Sequence, residues 1–122
     1  MTKEQALHKF FNSFGIVGHR ITSVPDDVVF PYLTYDAPIS SFDEDPVSIT
    51  LNLYYYTDSE AIPDAKAEEI RQAIGKGGKL LRCDGGGIWL QWGSPWCQSL
   101  VDDTNSNIKR RYINITAEYL TI

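Results

Sequence analysis

A chain of 122 residues and 13.8 kDa can hold one domain around a single core, and 43% hydrophobic with 22% charged residues exclude disordered and fibrous classes. A formal net charge of −5 and a pI near 4.8 argue against a surface that grips nucleic-acid phosphates. No apolar run approaches a membrane span, and MTKEQALHKFF leads directly into an amphipathic helix without a signal peptide, so a cytosolic protein is expected.

In chain order, Thr2 followed three residues later by Gln5 has the spacing of a capping box, and Leu7, Phe10, Phe11 and Phe14 recur at helical intervals until Gly15. Ile16 to Ile21 offers a short strand interrupted by Gly18. After Pro25, Asp26 and Asp27, the segment Val28 to Tyr35 (VVFPYLTY) is predicted as a second strand, placed at an edge or bulged because Pro31 cannot donate to a ladder. Asp36 to Pro46 (DAPISSFDEDP) reads as a mobile acidic loop in which Phe42 is the one large ring among Asp43, Glu44 and Asp45.

Val47 to Thr57 (VSITLNLYYYT) is the organising stretch. Val47, Ile49, Leu51, Leu53 and Tyr55 alternate with Ser48, Thr50, Asn52, Tyr54 and Tyr56, the pattern of a long strand with one apolar face. Thr57 to Ser59 then lead into a helix carrying Pro63 in its first turn and Ala65, Ala67, Ile70, Ala73 and Ile74 on its apolar side, terminated by Gly75, Gly77 and Gly78. Lys79 to Asp84 and Ile88 to Trp92 flank Gly85 to Gly87 as a β-hairpin, and Ser94, Pro95 and the polar run Asp102 to Asn107 interrupt the chain beyond it. Ile108 to Ile122 alternates again, with Ile113, Ile115, Ala117 and Tyr119 on one side, and is the natural antiparallel partner of the organising strand. The fold class expected is α+β: a single domain, 1–122, with a mixed, mostly antiparallel β-sheet and two α-helices packed on one face.

Chemistry is sparse. The glycines of CDGGGIW precede β-rich residues and not a helix N-terminus, so a turn fits better than a phosphate loop. Cys83 and Cys97 lack CxxC spacing and are expected as reduced thiols, not zinc ligands. Asp43, Glu44 and Asp45 lack the spacing of a calcium loop. Neither His8 nor His19 stands beside a nucleophile signature. Lys109, Arg110 and Arg111 form the only basic run, either balancing charge at a strand end or meeting an acidic partner surface. No catalytic, cofactor or metal residue is assigned, and binding or assembly is the expected class of function.

The FFNSFGI helix, VPDDVVFPYLTY, VSITLNLYYYT running into SEAIPDAKAEEIRQAIG, and the ending IKRRYINITAEYLTI together resemble the small tail-terminator and tail-completion proteins of long-tailed phages and of prophages in Gram-positive bacteria, often labelled minor capsid proteins. The resemblance runs over nearly the whole chain and rests on phrases of fold and turn. It implies a non-enzymatic ring, commonly of six copies, that caps the tail tube and docks to the head connector while DNA passes through without specific binding. It also implies assembly in the host cytoplasm and a place at the head–tail junction of the virion. Carried over by position, the partner contacts are Phe42, Asp43, Glu44 and Asp45 of the acidic loop, Tyr54 and Tyr56 of the organising strand, and Lys109 and Arg110 beside the Asp102 to Lys109 segment. The competing expectation is a domain with no phage role, either binding a small ligand in a pocket lined by Trp89, Trp92 and Trp96, or a regulatory protein whose acidic loop meets a basic partner.

Overall fold

The computed structural model describes residues 1–122. Helix α1 (Lys3–Phe11) begins at the expected capping box: Gln5 N donates to Thr2 Oγ1 at 3.1 Å and Thr2 N donates to Gln5 Oε1 at 2.8 Å. It stops four residues before Gly15, because Asn12 ends it differently. The Asn12 amide accepts from Gly18 N at 2.8 Å and donates to Gly18 O at 3.2 Å, turning the chain straight into strand β1 (Val17–Arg20). The close approach favours glycine at Gly18, where a Cβ would stand 2.9 Å from Leu33 Cδ1 and 3.1 Å from Phe11 O.

Strands β2 (Tyr32–Asp36), β3 (Val47–Tyr56), β4 (Lys79–Cys83), β5 (Gly86–Val101) and β6 (Ile108–Leu120) complete one mixed six-stranded sheet in the order β1-β2-β3-β6-β5-β4, with helix α2 (Ala61–Ile74) between β3 and β4. Only the β1–β2 pair is parallel. The domain is α+β, and β3 and β6 are antiparallel neighbours from Val47↔Ala117 to Tyr56↔Ile108.

Two strands differ from expectation. Strand β2 starts after Pro31 and is flanked by β1 and β3, so the proline sets where pairing begins instead of marking an edge. Strand β5 continues through Ser94 and Pro95 to Val101. The break is absorbed by a bulge in which five steps of β5, Trp92 to Cys97, are matched by two steps of β6, Ile115 to Ile113. Asn114 Nδ2 donates to Pro95 O at 2.8 Å and closes the gap left in the ladder.

Ile49, Leu51, Leu53 and Tyr55 of β3 and Ile113, Ile115, Ala117 and Tyr119 of β6 are buried on the same side of the pleat. Ala6, Leu7, Phe10 and Phe11 of α1 and Ala67, Ile70 and Ile74 of α2 join the same cluster, whereas the expected apolar positions Ala65 and Ala73 are exposed. Helix α1 touches β1 and β4, the two outermost strands. Six flat strands would span roughly 24 Å, twice a helix diameter, so the sheet must curl around α1.

Candidate assembly surfaces

The acidic loop is strapped to its own domain. Asp43 N donates to Tyr119 O at 2.7 Å, and the Asp43 carboxylate accepts from Thr121 N at 3.0 Å and Thr121 Oγ1 at 2.6 Å. The Thr121 side-chain bond, followed by its backbone bond, holds the Asp43 carboxyl below the ordinary carboxylate range. Tyr119 Oη donates to Pro38 O at 2.9 Å, and burial pushes this phenol up to about 12. Phe42 is half-buried against the core, its ring close enough to Gly86 that a Cβ there would meet it at 2.9 Å. Lys3 Nζ stands 4.1 Å from the centre of that ring and donates to Ser40 O at 2.7 Å. The expectation of a mobile acidic loop is therefore corrected at Phe42 and Asp43: the ring already has a seat, formed by glycines whose value as a cradle the sequence does not reveal. Glu44 and Asp45 are exposed and take part in no ion pair.

Across the sheet, on the side opposite the core, Tyr32 of β2, Tyr54 of β3, Arg110 of β6 and Leu100 of β5 fall in one row. The Tyr32 and Tyr54 rings stack at 4.7 Å and 12°, and burial, with Tyr54 as a further cause, raises the Tyr32 phenol above its ordinary value. Tyr54 and Arg110 meet at a hollow of about 310 Å³ that Leu100, Val101, Asp102, Asp103 and Ile108 also line. Asp102 is drawn into the turn at its C-terminal side, accepting from Thr104 Oγ1 at 2.6 Å and Thr104 N at 2.9 Å. Those bonds hold its carboxyl below the ordinary range.

Three side-chain polar atoms on this side of the sheet are buried without a hydrogen-bond partner: Arg110 Nε, and Thr34 Oγ1 and Asn52 Oδ1, whose residues face each other across β2 and β3. Such orphans are uncommon in a finished surface. Tyr56 is 57% exposed, with Phe30 at 5.9 Å. Lys109 stands apart from the hollow, its ammonium donating to Ser106 O and lying 3.9 Å from Glu60.

Of the expected contact residues, then, Tyr54 and Arg110 are brought together, Phe42 and Asp43 are engaged in the chain's own loop, and Glu44, Asp45 and Tyr56 remain on the surface. Tyr32, Leu100, Thr34 and Asn52 were not singled out from sequence. The alternation of VSITLNLYYYT places Tyr54 on the outward side and that of VVFPYLTY allows the same for Tyr32, but neither puts the two in one row.

None of the four surface hollows is lined by a tryptophan. Trp92 instead donates from Nε1 to Arg71 O at 2.8 Å, with the Arg71 guanidinium 3.9 Å over its ring. His8 Nδ1 lies 3.0 Å from Tyr35 Oη, away from any serine or cysteine partner. No group of three or more His, Cys, Asp or Glu side chains is placed to hold a metal ion, and no helix is long and apolar enough to cross a membrane. A scan against protein-family models and searches of curated proteins and of solved structures each found no match.

Proposed function

We propose that this chain is a structural protein that assembles with copies of itself into a ring, capping a phage or prophage tail tube or joining the tail to the head connector, and that it has no catalytic role. The observation that carries this reading is the Tyr54–Arg110 hollow. A half-buried guanidinium with an unpaired Nε donor, stacked tyrosines and the neighbouring unpaired Thr34 Oγ1 and Asn52 Oδ1 make a surface that a partner's acceptors and donors together would complete. Its groups bind but do not form a nucleophile and base. The net charge of −5 per copy suits a channel that lets DNA slide past.

Electron microscopy of the protein mixed with its cognate tail tube is the test, supported by native mass spectrometry. Rings on tube ends that disappear with Arg110→Ala, while the variant melts as the wild type does, are the expected result. Particles that stay monomeric both alone and with tubes overturn the proposal.

A further inference from the structure

Between α1 and β4 runs the largest groove of the molecule, about 700 Å³, floored by Ala6, Phe10 and Leu81 and flanked by Lys9, Lys79 and Arg82. Its one carboxylate, Asp84, is already held by the Met1 ammonium at 2.7 Å. The groove is therefore apolar at the bottom and positive at the rim. Strand β4 pairs with β5 alone, so on its other edge the N–H and C=O groups of alternate residues are unpaired toward this same groove.

The complementary feature lies elsewhere on the chain. Between Pro25 and Pro31 the turn carries Asp26 and Asp27 beside Val29, which at 77% exposure is the most exposed large hydrophobic side chain of the protein. Nothing within the chain answers either carboxylate with an ion pair. An apolar knob flanked by negative charge is what an apolar groove with a positive rim accepts.

The two features do not meet within one molecule, since no residue of the turn lines the groove. We infer that the Asp26–Val29 turn of one copy seats in the α1–β4 groove of the next, with its backbone adding to the open edge of β4. Knob and groove are different surfaces, so the contact is head to tail and propagates until it closes on itself. The inference rests on the ring reading above and names its subunit contact.

Sedimentation velocity on the full chain tests it. Val29→Asp and the pair Lys79→Glu with Arg82→Glu change exposed residues, so both proteins should melt as the wild type does while self-association weakens about tenfold or more. Mixing the two variants should give one-to-one dimers through this contact, because of its two halves only the intact knob of one and the intact groove of the other remain. Combining Asp26→Lys and Asp27→Lys with Lys79→Glu and Arg82→Glu in one chain should restore assembly. Variants that assemble as well as the wild type overturn this contact and leave the ring standing. A groove variant that self-associates normally but no longer binds tail tubes gives the groove to the tube protein and also overturns it. Wild-type protein that stays monomeric alone and on tubes removes the ring reading itself.

Discussion

Arg110 and Arg111 are consecutive residues of β6 that face opposite sides of the sheet, and their surroundings differ in kind. Arg111 is fully buried, yet its Nε donates to Asp64 Oδ1 at 2.8 Å and its Nη2 reaches Glu60 O at 3.3 Å and Glu60 Oε2 at 3.4 Å. Those partners sit at the start of α2, which has no side-chain cap of its own, so the guanidinium ties the helix N-terminus to the sheet. Arg110, one residue earlier, keeps a buried Nε without a partner. The core side answers a fully buried guanidinium within the chain, whereas the half-buried guanidinium on the other side keeps one donor unanswered. That contrast locates stability on one face and, on the proposed reading, unused binding capacity on the other.

The largest effect should come from breaking the satisfied face at its centre. Leu51 is fully buried between Tyr35 on β2 and Ile113 on β6. Leu51→Asp places a buried carboxylate there, and Arg111, the cation on the same face one row along, is already engaged by Asp64 and Glu60, so the cost should be about 4 kcal/mol or more. No cooperative thermal transition is expected by circular dichroism. A melt at the wild-type temperature would show that the β3–β6 pair is not the centre of the core.

Arg111 sharpens the comparison further. Because the Asp64 and Glu60 side chains are 60% and 58% exposed, they can regain water when the guanidinium is removed. Arg111→Ala should therefore cost about 2–3 kcal/mol, less than breaking a wholly buried pair. Arg111→Met fills the same space without charge and should recover about half of that loss. Denaturant titration of the three proteins separates the packing contribution from the ionic one. Equal stability of the alanine and methionine variants would mean that packing contributes nothing.

How much of this could be read in advance depends on range. The β3 and β6 patterns are long alternations, and each specifies its apolar face without reference to anything else, so their pairing was legible. Pro31 and Pro95 carry a local signal too, but its consequence depends on neighbouring strands. One proline delays β2 and the other is absorbed in the β5 bulge. Arg111 illustrates the limit: alternation gives its side of the strand, but its burial is tolerable only because α2 delivers two acidic residues from 47 and 51 positions away. For the candidate site, Tyr54 and Arg110 were named separately, and only register could join them with Tyr32 and Leu100 into one row.

Phe42 tests the same boundary between faces at a smaller scale. Seated over Gly85 and Gly86 and beneath the Lys3 ammonium, it is half-buried in its own chain. Phe42→Ala should lower stability by about 2 kcal/mol, roughly half the loss at a fully buried phenylalanine. Chemical denaturation of the isolated chain checks this. An unchanged midpoint together with failed ring assembly would return the phenyl group to the role of an intersubunit anchor.

The smallest effect concerns the loop's tether. Asp43 has a φ of 66°, a conformation that asparagine also tolerates, so Asp43→Asn changes the charge without straining the backbone. In the folded chain the two Thr121 bonds favour the ionised carboxylate and lower its pKa, whereas in the unfolded chain the group titrates at its ordinary value. The stabilisation from that difference is complete above the unfolded pKa and is lost as the pH falls through the folded one. Between neutral pH and the upper edge of the carboxylate range the tether should contribute a constant amount; below it, the loop should loosen. The amide oxygen introduced by Asp43→Asn can still accept one Thr121 hydrogen bond but cannot titrate, so the variant should melt slightly lower at neutral pH, with a shallower fall on acidification. Thermal melts of both proteins from neutral to acidic pH read the difference, and parallel curves would mean that the Thr121 bonds do not discriminate between the two charge states.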